Sequence, residues 1–288
     1  MQNEIQPLTE TLPETTSSET DNKIHCLNCG TEFEGNFCPE CGQSAETGRF
    51  TMKFIWENLL AAFISKDGGI WFTLKNLFTR PGAMIVEILN GKRRKFFSPF
   101  PMLIFSLTVY LLIASVSGSR DELNNSEKDI TAELDGTAEY EDDIKLIYTT
   151  AYKGLQFYNN HYTACYLLTL PLLVLATRRA FGKQNKKRYN VAEYTITVVY
   201  SMVMVVLFRC VVSLVYLFSA DLSSTIAIFP LAICISLAVC FQKMAGYNIP
   251  KTILRSVWAT LIYYLLLGAL FVIGCIVLLA IALAHHYL

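Results

Sequence analysis

The sequence predicts an all-α membrane protein, a bundle of about five transmembrane helices preceded by amphipathic surface helices and a small cysteine-rich N-terminal module. Three observations predict it. Five segments are apolar over lengths close to the ~20 residues that cross a bilayer. The loops between them alternate between basic and acidic character. Four cysteines are gathered in the paired knuckles of "CLNCGTEFEGNFCPECGQ", residues 26–43. Composition agrees: 53% of the 288 residues are hydrophobic and 17% charged, well under the ~25% charge of soluble domains.

Residues 1–24 are rich in Thr, Ser, Glu and Pro, with Lys23 as the single base. Such a composition cannot bury enough apolar surface to order itself, so an acidic disordered tail is expected. It lacks the basic start and apolar centre of a cleaved signal peptide.

Residues 25–48 form the cysteine module. Cys26, Cys29, Cys38 and Cys41 stand as two Cys-x-x-Cys-Gly knuckles eight residues apart. Cytoplasmic thiols are kept reduced, so four thiolates there point to a closed tetrahedral metal site rather than to disulfides. Zinc is the expected metal, structural rather than catalytic because no coordination position is left for water; rubredoxin-like iron is the rival. Gly30 and Gly42 follow the second cysteine of each knuckle, where the chain must turn tightly. Phe33 and Phe37 belong to a small hairpin in the spacer. His25 adjoins the first ligand, but four thiolates already fill the site. The module is expected to be a zinc ribbon whose folding energy comes from the metal. Between Asp21 and Glu46 a single base faces five acids, which excludes nucleic acid as a partner, since phosphate binding needs Lys and Arg. A protein partner, or the membrane domain itself, suits that charge better.

Residues 49–96 read as juxtamembrane helices. Met52, Ile55, Trp56, Leu59, Leu60 and Phe63 share one helical stripe, broken at Lys66-Asp67-Gly68-Gly69. Ile70–Phe78 is a second apolar-aromatic piece. Pro81 opens a third helix with Met84, Ile85, Ile88 and Leu89 on one face, and Asn90-Gly91 suits a C-cap. These helices either lie in the headgroup plane or cap the bundle from below. The run Lys92, Arg93, Arg94 and Lys95 is a topology signal, or a grip on anionic lipid.

The membrane domain occupies residues 97–288. Its spans are Phe97–Val116, Tyr162–Thr177, Thr195–Phe218, Thr225–Phe241 and Val257–Ala284. The second is short and carries Pro171, which makes the aromatic stretch Tyr152–Tyr158 its expected extension. Bases collect before the first span, at Arg178, Arg179, Lys183, Lys186, Lys187 and Arg188 before the third, and at Lys243, Lys251 and Arg255 before the fifth. The loop at 118–161 instead holds ten acids against four bases. Because Lys and Arg stay inside, the N-terminus is expected in the cytoplasm and the C-terminus outside, with the 118–161 loop extracytoplasmic. The five remaining cysteines, Cys165, Cys210, Cys234, Cys240 and Cys275, lie in apolar segments and read as small hydrophobes. Arg209 is the one charge expected within a span. It either snorkels to the outer headgroups or faces the bundle near Ser115, Tyr166 or Thr169 as an anion-attracting point. Arg209 and Lys92–Lys95 are therefore the candidate anion or lipid contacts.

The order of these parts resembles a bacterial family of integral membrane proteins classed only as a domain of unknown function. The resemblance rests on the ribbon and on "DGGIWFTLKNLFTRPGAMIVEILNGKRRKFFSPFPMLIF", through Asp67, Thr73, Leu77, Pro81, Gly82, Gly91, Lys92, Arg93 and Pro99. It covers roughly residues 26–116 and implies a bacterial cytoplasmic-membrane protein, without an activity. The sequence holds no Gly-x-Ser-x-Gly, His-Glu-x-x-His or phosphate-binding Gly-x-x-x-x-Gly-Lys motif, so no catalytic residue is named. The favoured expectation is a non-enzymatic scaffold or regulator, with lipid around the bundle, a protein partner at the ribbon, and homo-oligomerisation open. The alternative is a transporter or channel, dimeric, using Arg209; a lipid-handling enzyme is the third reading.

Overall fold

The computed structural model describes residues 23–58, 69–117, 154, 157, 161–185, 189–216 and 228–287. The element order is β1 (Ile24–His25), β2 (Glu32–Phe33), α1 (Met52–Asn58), α2 (Ile70–Thr79), α3 (Pro81–Leu89), α4 (Pro99–Ser117), α5 (Tyr162–Asn185), α6 (Val191–Tyr216), α7 (Ile228–Ala245) and α8 (Ile249–Tyr287). The strands pair antiparallel, Ile24 with Phe33 and His25 with Glu32.

Five of these helices, α4 to α8, are long and apolar enough to cross a membrane. Their bounds differ from the apolar runs in a consistent way. The second span lengthens downstream: α5 passes through Pro171 and continues to Asn185, so Arg178, Arg179 and Lys183 are helical rather than in a loop. The upstream stretch 152–158 lies mostly outside the described residues. The fifth helix likewise starts at Ile249, with Pro250 in its first turn, and carries Lys251 and Arg255. Lipid ends the apolar run, but Arg and Lys are good helix formers and let the backbone ladder continue into the interface. By the same extension α6 begins at Val191 and takes in Glu193, so Arg209 is not the single charge of the spans. The acidic tail, most of 118–161 and residues 59–68 lie outside the described residues.

Helix α6 is the centre. It packs against α4, α5 and α7, while α8 packs outside on α5 and α7. Tyr194, Val198, Val199, Val203 and Val206 of α6 are fully buried, with Phe181 of α5 and Phe241 of α7 stacked at 4.8 Å between centroids.

The short helices are part of this core. Helix α3 packs on α7: Met84, Ile85, Ile88 and Leu89 are buried, and a Cβ on Gly82 would stand 3.0 Å from the Val239 carbonyl oxygen. Leu77 and Thr73 of α2 are fully buried too, and Thr73 Oγ1 accepts from the Phe97 amide at 2.8 Å. The opposite face of α2 exposes Trp71 and Phe78, at 81% and 57%. One face caps the bundle and the other presents aromatics outward, a pattern suited to a headgroup layer. The ribbon, the starts of α4, α6 and α8 and the ends of α5 and α7 gather at one end of the bundle, and every basic loop of the sequence reading adjoins that end.

Candidate metal centre and its docking surface

The two knuckles repeat the same backbone bonds. Cys26 N donates to Thr31 O at 2.9 Å and Gly30 N to Cys26 O at 2.9 Å; twelve residues on, Cys38 N donates to Gln43 O at 2.9 Å and Gly42 N to Cys38 O at 2.8 Å. Each loop closes through a glycine with positive φ, +84° at Gly30 and +70° at Gly42, a conformation that L side chains rarely adopt. The repeat aims two thiols from each knuckle at one point.

All four Sγ atoms lie within 4.8 Å of one another. The Cys26–Cys41 and Cys29–Cys38 sulfurs are 3.5 Å apart, far beyond the ~2.05 Å of a disulfide. A tetrahedral site with metal–sulfur bonds of ~2.3 Å sets sulfur–sulfur edges of about 3.8 Å, so the cluster fits a four-thiolate ion. Thr31 Oγ1 stands 3.3 Å from Cys29 Sγ, and hydrogen bonding to Thr31 lowers the Cys29 thiol to about 6. Burial pushes Cys41 up to about 11. The thiolate is the form that binds a metal, and the lowered Cys29 thiol favours it. His25 is exposed and outside the cluster. Of the spacer aromatics Phe33 is buried against the cysteines, whereas Phe37 is 66% exposed.

One side of the ribbon is fastened to the bundle. Gln43, buried between them, donates through Nε2 to Gly91 O at 2.8 Å and accepts at Oε1 from the amides of Arg93 and Arg94, at 3.3 and 3.4 Å. Arg94 Nε reaches back to the carbonyl of Cys41 at 3.3 Å. These acceptors and donors are presented by the end of α3. Its C-cap places Lys92 N on Glu87 O at 3.0 Å and Gly91 N on Ile88 O at 3.1 Å, the two bonds of a Schellman motif. Gly91 has φ +103°, and a Cβ there would lie 2.7 Å from Leu27 Cδ1 of the first knuckle.

A second fastening follows. Arg49 grips Glu193 with both ends of its guanidinium, Nε to Oε1 at 2.9 Å and Nη2 to Oε2 at 2.7 Å. Glu193 is also half of a capping box: its Oε2 accepts from Asn190 N at 2.8 Å while Asn190 Oδ1 accepts from Glu193 N at 2.9 Å. Asn190 Nδ2 then donates to Phe50 O at 2.7 Å. Arg93 lies between the fastenings, donating to the Gly48 carbonyl and stacking over the Phe50 ring at 3.6 Å. Burial lowers Arg93 to about 10, which leaves it charged at neutral pH.

The basic run is thus divided. Arg93 and Arg94 bind the ribbon and its tail, and Lys95 stands over Phe72 at 5.2 Å. Lys92 caps α3 through its backbone. Arg209 lies far from this end, its guanidinium 3.9 Å over the ring of Phe229 in the first turn of α7. It is half-buried and acts electrostatically on Tyr263, whose hydroxyl is 3.3 Å from Thr169 Oγ1. Of the hydroxyls expected near it, Tyr166 OH is turned to Met202 Sδ at 3.1 Å.

Sequence reasoning missed Gln43, Arg49, Asn190 and Glu193 as fastening residues. Asn190-x-x-Glu193 is a capping-box signature and was legible. Nothing local marks Gln43 or Arg49, whose partners lie 48 and 144 residues away.

Comparison with protein families finds one described as "Protein of unknown function (DUF3667)", whose model matches residues 67–111. Curated proteins and solved structures give no match. The matched stretch runs from the start of α2 into α4, and the residues that carried the resemblance have structural duties in it. Thr73 ties α2 to the head of α4, Pro81 opens α3, Gly82 permits its contact with α7, and Gly91 ends α3 beneath the ribbon. The chain is similar to that family over this junction.

Proposed function

We propose that this chain is a non-enzymatic multi-pass membrane scaffold or regulator of a bacterial cytoplasmic membrane. Its N-terminus is cytoplasmic, and a structural zinc holds a ribbon that presents one face to a protein partner. The observation that supports this reading is the asymmetry of the ribbon. Gln43 and the Cys41 carbonyl are bonded to the bundle and Leu27 lies beside Gly91, while Phe37 stands exposed, with exposed Glu32, Glu34 and Glu40 near it in the sequence. An exposed aromatic on an acidic ribbon suits a basic partner with an apolar recess. Fastening at two points fixes where that face points relative to α6, so occupancy of the ribbon is felt at the head of the central helix.

A photo-crosslinking amino acid at position 37, in native membranes, tests this. The expected product is a defined protein adduct that disappears when the metal is chelated. Adducts confined to the chain itself or to lipid reject partner docking. Orientation has its own check: a cysteine introduced near Gly136 should react with an impermeant thiol reagent in spheroplasts, and one at 186–188 should not. Arg209 beside Phe229 and Tyr263 supports the alternative, transport of an anion, for which Arg209→Leu abolishes activity and leaves insertion intact.

A further inference from the structure

The ribbon's end of the bundle carries a second charged feature, away from the ribbon contacts. Between the end of α5 and the start of α8 lies a cleft of about 540 Å³. Arg179, Lys251 and Arg255 line its outer part, and Leu254, Trp258 and Leu261 its inner wall. We infer that this cleft binds one anionic phospholipid, with the phosphodiester among the three cations and an acyl chain along the apolar wall. The inference goes beyond the proposed function and does not depend on which way the chain is threaded.

The charge is the first argument. Arg255 donates to the Ala180 carbonyl across the two helices, and it stands 4.5 Å from the Tyr247 ring that Lys251 also approaches at 4.7 Å. Two cations therefore converge on one ring, with the exposed Arg179 across the cleft. Among the described residues none of the three makes an ion pair, and the sequence has no acid after Asp221. Like charges gathered at one cleft repel; an anion entering from outside relieves that repulsion.

Depth is the second. Lys251 to Leu261 is ten helical steps, about 15 Å at 1.5 Å per residue, or one leaflet of a hydrocarbon core ~30 Å thick. Leu254, Trp258 and Leu261 are 69%, 54% and 57% exposed along it. A Trp just inside a cationic rim marks the membrane interface, and basic pockets between helices at that level suit anionic headgroups. Free phosphate has no use for the apolar wall, and a zwitterionic lipid brings no net charge to the rim.

The test uses the full-length protein in detergent, probed by native mass spectrometry with phosphatidylglycerol, phosphatidylcholine and inorganic phosphate. Phosphatidylglycerol should be retained as one tight adduct and phosphatidylcholine should not. Arg179→Gln combined with Lys251→Gln should weaken that adduct about 25-fold, at roughly fivefold for each basic side chain. Trp258→Ala should weaken it while leaving any binding of phosphate unchanged. Equal retention of both lipids, or competition by inorganic phosphate at millimolar concentration, overturns the inference. A variant that fails to fold does not protect it, because photoreactive phosphatidylglycerol on the unaltered protein should label residues 254–261; labelling elsewhere overturns it. So does a disulfide-linked dimer formed through a cysteine at 258 whatever lipid is present, since a second copy would then fill the cleft.

Discussion

Helices α6 and α8 contain spans of equal mean hydropathy, 2.4 in each, yet 56% of the span is buried in α6 and 11% in α8. The reason is not how apolar they are but what fastens them. Helix α6 is capped by Asn190 and Glu193, clamped through Glu193 to Arg49, and held at mid-length by Tyr200, whose hydroxyl donates to Phe97 O at 2.7 Å. From Val191 to Val206 none of its residues is exposed, and exposure is confined to its far end, at Phe208, Val211, Leu214 and Val215. Helix α8 is seated by a single stripe, Thr252, Ser256, Ala259, Thr260 and Tyr263, with polar contacts to α5: Arg255 donates to the Ala180 carbonyl, and the Tyr263 hydroxyl lies 3.3 Å from Thr169 Oγ1. Thr252, Ser256 and Thr260 return their hydroxyls to their own helix, at 3.2, 3.0 and 2.9 Å. Between helices in lipid the apolar surface offers no drive to associate, and packing and hydrogen bonds decide position. Both helices are long and apolar enough to span; the fastenings at its head and packing against α4, α5 and α7 make α6 the centre.

Removal of the metal should give the largest separation between the two. Structural zinc sites contribute on the order of 10 kcal/mol to folding, so Cys38→Ser should abolish metal binding and release the ribbon. Metal analysis should find about one zinc per chain before the change, from the four-thiolate set, and none after. Amide exchange should rise through residues 26–50 and at the first turn of α6, with no change at residues 250–256 of α8. Equal exchange at both helices would show that the ribbon does not anchor α6 at all.

Next in size is Glu193→Gln. The carboxylate is 3% exposed and carries bonds from Arg49 and Asn190, so breaking it should cost about 1–3 kcal/mol, seen as a lower melting temperature in detergent. Arg49→Ala should cost less, because that side chain is 60% exposed and water replaces part of the pair. A smaller loss from Glu193→Gln than from Arg49→Ala would place the energy outside the capping box.

Gly91→Ala tests the other fastening. The left-handed backbone and the contact with Leu27 should together cost about 1–3 kcal/mol, read as faster proteolysis after Gly48. Leu27→Ala in the same protein should recover part of the loss by removing the clash, while the φ penalty stays. Full recovery would mean that the turn tolerates a side chain.

How much of this was legible follows the same division. The spans and the clustering of Cys26, Cys29, Cys38 and Cys41 were readable because each signal is local: an apolar run, or a pair of thiols on one knuckle. Helix ends were not, since α5 and α8 continue past the apolar runs on Arg and Lys. The ribbon's docking was not either. Lys92–Lys95 looked like a loop code, and Arg93 and Arg94 take partners from Cys41, Gln43, Gly48 and Phe50, more than forty residues away. Which helix is central was beyond the sequence altogether, as two spans of identical hydropathy show.

The smallest expected effect is the sharpest test of that last point. Val203 of α6 is 0% exposed and Val272 of α8 is 55% exposed. Truncating each to Ala removes the same two methyl groups. In lipid the transfer of those methyls from water drops out, and the loss that remains is packing against neighbours. Val203→Ala should therefore cost about 1 kcal/mol in detergent-phase unfolding, and Val272→Ala less than about 0.5 kcal/mol, as for other surface changes. The second number is the informative one. If Val272→Ala costs as much as Val203→Ala, the exposed face of α8 is packed against something, and a second copy of the chain is the first candidate; the loss would then shrink with dilution, because only a bimolecular contact makes stability depend on concentration. If it costs nothing at any dilution, α8 is a lipid-facing helix seated on one narrow stripe, and the contrast with α6 stands.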